Sequence, residues 1–172
     1  MKRISLIECK RLKDDTCSKK YVNNFSKILT PIDGSDPSLY AANYAIELAR
    51  KFLSKIYIIS VLPSKIKYGD SSGYFGMVPP NYFENYKKEA EIWFTQLRNK
   101  IKVDDFNKEN LKTEVITSPL SVSGTILEYG ESKNVDLIVM GTKGKTGFKR
   151  LLIGSTAHEI VTYAHCPVMV VR

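Results

Sequence analysis

Short apolar runs alternate with longer amphipathic stretches along most of this 172-residue chain. The runs are Lys27–Ile32, Lys55–Val61, Leu111–Thr117, Val135–Met140 and Pro167–Val171. Each is rich in β-branched residues, too short for a helix, and bounded by Pro, Gly, Asp or Ser, the signature of buried strands. Pro31 cannot donate to a ladder, so the first strand must end or bulge there. Between the runs, Leu39, Ala42, Ile46, Ala49 and Phe52 recur at spacings of three and four, one apolar stripe of a helix. Asp36 is its expected N-cap and Pro37 its first residue. A second helix is predicted over 81–102, with Phe83, Tyr86, Ala90, Trp93, Leu97 and Ile101 inward. A third is predicted over 121–132, with Val122, Ile126 and Tyr129 inward. A fourth runs over 155–164, where Thr156 and Glu159 fit a capping box. The order β-α-β-α-β-α-β-α-β implies an α/β fold, an open parallel sheet with helices on both faces and right-handed crossovers.

Length and composition narrow this picture. The chain is expected to hold one domain, residues 25–172, behind a basic, non-periodic and poorly ordered extension, residues 1–24. Residues 63–80, rich in Gly, Pro, Ser and Tyr, form a long loop of the kind that serves as a lid or binding segment. No run approaches the about 18 apolar residues that span a bilayer, so no membrane association is expected. No apolar leader segment follows Met1-Lys2-Arg3, so the expected compartment is the cytoplasm. Cys9, Cys17 and Cys166 give no disulfide framework. His158 and His165 lack neighbouring ligands at metal-binding spacing, and no metal site built from side chains is expected. The net charge of +8 concentrates in the extension and in the 143–150 loop. A nucleic-acid-binding face would spread it, so nucleic acid is not an expected partner.

The chemistry points to the stretch after the fourth strand. Gly141-Thr142-Lys143-Gly144 follows that strand directly, and Gly154-Ser155 opens the last helix. Glycines let backbone N–H groups approach phosphate oxygens without an intervening Cβ. Lys143, Lys145, Lys149 and Arg150 add attraction for an anion. Ser155 and Thr156 stand at a helix N-terminus, where unpaired amides favour phosphate. Two better-known phosphate motifs do not fit. A Walker A loop ending at Gly144-Lys145-Thr146 would need glycine at position 139, which is Val139, and the spacing of Gly141, Gly144 and Gly147 is not that of a dinucleotide fingerprint. Ligands of open parallel sheets bind beyond the carboxyl ends of strands, where strand order reverses. Asp33, after the first strand, would then share a cleft with Gly141, after the fourth.

These residues resemble the universal stress protein family in its ATP-binding form. The resemblance runs from about Phe25 to Arg172. Its anchors are Ile28-Leu29-Thr30-Pro31-Ile32-Asp33-Gly34-Ser35, the Ser118-Pro119 to Gly124 segment, Asp136 to Gly144, Gly154-Ser155-Thr156, and the ending Cys166 to Val171. The pattern G-x2-G-x9-G-[S/T] is present in full. The resemblance implies a Rossmann-like sheet of order 3-2-1-4-5, as in the adenine nucleotide α-hydrolase-like folds. It implies that Asp33 contacts the ribose and adenine side of ATP, and that backbone groups at Pro31 and Val61 frame the adenine. Met140, Gly141, Lys143 and Gly144 would approach the ribose and phosphates, and Gly154, Ser155 and Thr156 the outer phosphates. Mg2+ or Mn2+ would be held by the phosphates. The family usually forms homodimers through the last strand, here 167–171. Position 143 is Lys where many members carry His or Arg, which keeps the charge but loses the planar fork.

The expected function is that of a nucleotide-dependent regulatory module in a stress response, acting on a protein partner that the sequence does not identify. The alternative is slow or partner-dependent ATP hydrolysis in the same cleft. Phosphoryl transfer needs a positioned base or water-orienting group, and no catalytic residue of that kind stands out. A flavoprotein-like adenosine-binding enzyme would need further domains or signature loops.

Overall fold

The computed structural model describes residues 25–64, 81–101, 108–144 and 153–172. The expected extension 1–24, most of the 63–80 loop, and Lys145, Lys149 and Arg150 lie outside the described residues. The strands are β1 (Lys27–Pro31), β2 (Lys55–Pro63), β3 (Leu111–Ser118), β4 (Leu137–Gly141) and β5 (Val168–Val171). The helices are α1 (Asp36–Phe52), α2 (Tyr82–Lys100), α3 (Val122–Lys133) and α4 (Ser155–Tyr163), with a short 3-10 turn at Lys108–Asn110. The strands form one five-stranded sheet in the order β3-β2-β1-β4-β5, and every neighbouring pair is parallel.

Both faces of the sheet are covered, so its central strands are mostly apolar instead of alternating. On one face Ile28, Ile56, Ile58 and Val139 pack against Ala42, Ile46 and Ala49 of α1 and Ala90, Phe94 and Leu97 of α2. On the other face Leu29, Ile59, Ile138 and Met140 pack against Ile126 of α3 and Ala157 and Ile160 of α4. The α1 helix comes closest to the sheet through small residues: Ala41, Ala42, Ala45 and Ala49 are fully buried.

Three local expectations are corrected. The N-cap of α1 is Ser35, with Asp36 as the first helical residue, and Ser35 uses no side-chain cap bond. Instead its amide and hydroxyl both donate to Asp33 Oδ1. The N-cap of α4 is Gly154, so Thr156 and Glu159 do not form a capping box; Glu159 accepts from Ser123 Oγ of α3 and ties those two helices together. In α2 the inward aromatic is Phe94, which is buried, while Trp93 and Tyr86 pack at the margin of the core.

One end of the sheet is splayed, and the cause is local. The β1–β4 register ends at Leu29–Ile138, whereas β1–β2 continues to Pro31–Ile59. Peptide groups alternate sides along a strand. Pro31, two residues past Leu29, would turn its N–H towards β4, and it has none. β1 and β4 therefore part at Pro31, at the carboxyl edge where the strand order reverses.

Candidate functional site

A cleft of about 550 Å³ opens at that point. Every candidate site residue of the sequence lines it: Pro31 and Asp33 after β1, Val61 of β2, Met140 and Gly141 of β4, Lys143 and Gly144 beyond it, and Gly154, Ser155 and Thr156 at the start of α4. The volume lies within the range of small-molecule sites.

The cleft has two chemically different ends. Val61, Pro63, Val122, Ile126 and Met140 make one wall apolar. The lining also holds Lys143, whose Cα would lie 3.7 Å from a Cβ on Gly154, beside the start of α4. The first helical bond of α4 runs from the His158 amide to the Gly154 carbonyl, so the amides of Ser155, Thr156 and Ala157 have no intrahelical acceptor. Those groups, with the helix dipole behind them, suit an anion. The Gly154 amide differs from its neighbours, because it donates to the Thr142 carbonyl at 2.7 Å. Gly154 thus fixes the α4 entrance to the β4 loop, and Ala157 supplies an amide that the sequence reading left out.

Two glycines are demanded by close approach. A Cβ on Gly141 would lie 2.7 Å from the Pro37 carbonyl oxygen, a backbone atom that cannot move aside. Only glycine lets β4 pass so near the start of α1. A Cβ on Gly144 would fall 2.4 Å from Asp33 Oδ2. The Asp33 carboxylate therefore reaches across the cleft mouth to the β4 loop, and the space above Gly144 belongs to the site. Asp33 is held in place by Ser35, whose amide and hydroxyl donate to Oδ1 at 3.0 and 2.6 Å. Its own amide donates to Ser38 Oγ at 3.3 Å.

The sequence reading missed part of the wall. Ile32, Ser38, Pro63, Val122, Ile126, Thr142 and Ala157 also face the cleft. Ile32, Ser38 and Thr142 could have been inferred as neighbours of predicted residues. Val122 and Ile126 carry no such signal, because their stripe reads as ordinary helix packing. Beneath the wall, the Tyr86 hydroxyl lies 2.8 Å from Ser60 Oγ and donates to the Val61 carbonyl at 3.2 Å. Burial is the main reason its phenol titrates above the usual range; the bond to Ser60 works against this, and the Asp33 charge adds to it. Tyr86 is therefore a protonated donor at neutral pH.

Among the described residues no group of three or more His, Cys, Asp or Glu is placed to hold a metal ion, and no helix is long and apolar enough to cross a membrane.

Comparison with known proteins gives the same frame. The family model described as the universal stress protein family matches residues 24–172. A universal stress protein of Methanocaldococcus jannaschii is 36% identical over 158 residues, covering 87% of this chain and 84% of its own. The solved structure of universal stress protein UspA from Lactobacillus plantarum superposes with a TM-score of 0.67 at 28% identity, over 86% of this chain and 98% of that one. A universal stress protein from Archaeoglobus fulgidus, solved in complex with dAMP, shares the fold with a TM-score of 0.60 at 17% identity, over 86% and 98% of the two chains. With its sheet order, its glycine-spaced cleft and a family match over nearly its whole length, the chain belongs to the universal stress protein family.

Proposed function

We propose that the cleft binds ATP and that the protein acts as a nucleotide-dependent regulatory module of the cytoplasmic stress response. The observation that carries this reading is the continuity of two unlike surfaces in one cavity. A planar ring suits the apolar lining of Val61, Val122, Ile126 and Met140, and a phosphate chain suits the α4 amides together with Lys143. Asp33 lines the same cleft, with its Oδ2 beside Gly144, and its carboxylate would suit ribose hydroxyls. The complex of the Archaeoglobus fulgidus relative with dAMP supports a nucleotide as the ligand class. Among the described residues Asp33 is the one carboxylate lining the cleft, and its Oδ1 already accepts two bonds from Ser35. An accompanying Mg2+ or Mn2+ would take its ligands chiefly from phosphate oxygens and water. Retention of the nucleotide, with slow turnover at most, fits this lining better than efficient hydrolysis, which needs a positioned base.

The test is direct. Protein purified without added ligand, then denatured, should release adenine nucleotide detectable by mass spectrometry, and nucleotide-free protein should bind ATP by titration calorimetry. Gly144→Val places a branched side chain against Asp33 Oδ2, in the space the proposed phosphates would use. It should weaken ATP binding by about 100-fold or more, the equivalent of losing several good contacts. Normal affinity in that variant would disprove the placement of the phosphates.

We also propose that β5 pairs with a second copy of the chain. Among the described residues β5 is an edge strand, bonded to β4 alone. Its residues are apolar and Met169 is 36% exposed. An uncovered apolar edge of this kind invites strand addition.

A further inference from the structure

The β1–β2 ladder stops one rung short of what its chain could make. Pairing runs to Pro31–Ile59, and the Ile32 amide adds a final bond to the Ile59 carbonyl at 2.8 Å. Val61, two residues past Ile59, turns its N–H and C=O towards β1 as Ile59 does. The next rung of a parallel ladder would join the Val61 amide to the Ile32 carbonyl. That carbonyl accepts instead from Ser60 Oγ at 2.9 Å, inside the core. The Val61 carbonyl accepts from Tyr86 at 3.2 Å, and the two hydroxyls lie 2.8 Å apart. Side-chain hydroxyls from the α2 side of the sheet thus replace a backbone rung at the floor of the cleft.

We propose that Ser60 and Tyr86 are positioning residues for the ring-binding end of the cleft: by holding the Ile32 and Val61 carbonyls they keep the strand ends apart and leave the Val61 peptide edge open to a hydrogen-bonding planar ring. The inference rests on the nucleotide reading above and deepens it. Ser60 is fully buried, so its hydroxyl must bond within the protein. Tyr86 is braced in turn, its ring edge-on to Trp93 with centroids 6.0 Å apart. The Trp93 indole covers Gly34, where a Cβ would lie 2.3 Å from it and φ is +81°. One helix, α2, therefore supports both the strand gap and the turn that carries Asp33.

The hydroxyl pair is suited to a site that is sometimes empty. Two protons serve three oxygen contacts, so the bonds can run from Tyr86 through Ser60 to Ile32, or from Ser60 through Tyr86 to Val61, or each hydroxyl can donate to its own carbonyl. A ring amino group donating to the Val61 carbonyl selects the first order and strands no donor. Removing Ser60 Oγ frees the Ile32 carbonyl to take the Val61 amide, which adds the missing rung and narrows the gap. A backbone bond then replaces a side-chain bond, so the fold loses little.

The experiment compares Ser60→Ala, Tyr86→Phe and the double variant with wild type by titration calorimetry, using ATP and inorganic tripolyphosphate as ligands, with thermal melts alongside. ATP affinity should fall about tenfold in each single variant, the scale of one directed hydrogen bond. The double variant should be little worse than the weaker single, because the pair acts as a unit. Tripolyphosphate binding and melting temperature should stay close to wild type. Unchanged ATP affinity in both single variants would overturn the inference, as would an equal loss for tripolyphosphate, which would mark a general loosening of the fold. Wild-type protein that binds neither ligand would instead defeat the nucleotide reading, and this inference with it.

Discussion

Thr30 lies in the centre of β1, fully buried, and its Oγ1 has no hydrogen-bond partner. Thr30 shares its face of the sheet with Ile28 and pairs in register with Ile58 of β2. A buried hydroxyl left without a partner forfeits its hydration and gains nothing for it. Valine has the same shape, so Thr30→Val should stabilise the protein by about 1 kcal/mol, seen as a higher urea midpoint at unchanged slope. A lower midpoint would mean that the hydroxyl is satisfied in solution. Other residues were legible from the sequence because their type has few uses. Asp33 and Gly144 could be assigned to one cleft this way, since an acid and a glycine beyond strand ends have little to do in packing. Trp93 and Phe94 were not separable: they are adjacent, both apolar, and the stripe drawn through Ala90 and Leu97 passes near each. Phe94 fills the core, while Trp93, with a polar edge to accommodate, sits over Gly34.

At the scale of elements, the strands and the two long helices were readable because each satisfies one periodicity over several residues. Their ends were not, because ends are set by contacts between distant segments. β4 begins at Leu137 and not at Val135, because the Asp136 carboxylate turns aside to the start of β1. There it accepts from the Ser26 amide and hydroxyl and from the Lys27 amide at 2.9, 2.6 and 3.1 Å. Asp136→Ala removes the acceptor of three donors, two of them on exposed Ser26 where water can substitute, and should lower stability by about 1 kcal/mol. Hydrogen exchange at Lys27 and Ile28 should quicken more than at β2, and uniform protection across both strands would contradict this role. The apolar wall of the cleft was hidden for a related reason. Val122 and Pro63 come from separate elements, and only the crossover geometry brings them together.

At the scale of the whole molecule, the sheet presents a short apolar edge at β5 on the margin furthest from β3. Val170→Glu places a charge within that edge and should yield monomers by light scattering, with a circular dichroism spectrum like wild type. An unchanged dimer mass would exclude the β5 edge as the contact. The position of β1 carries a further consequence for biosynthesis. Leu29 meets its β4 partner only at Ile138, and Ser26 meets Asp136 across 110 residues. As the chain leaves the ribosome, β1, β2 and β3 can assemble early, but the central strand stays open on one flank until the last third has been made. The cleft is unfinished until then as well, because Gly154, Ser155 and Thr156 follow β4, so the nucleotide proposed above could be captured only after the start of α4 has emerged.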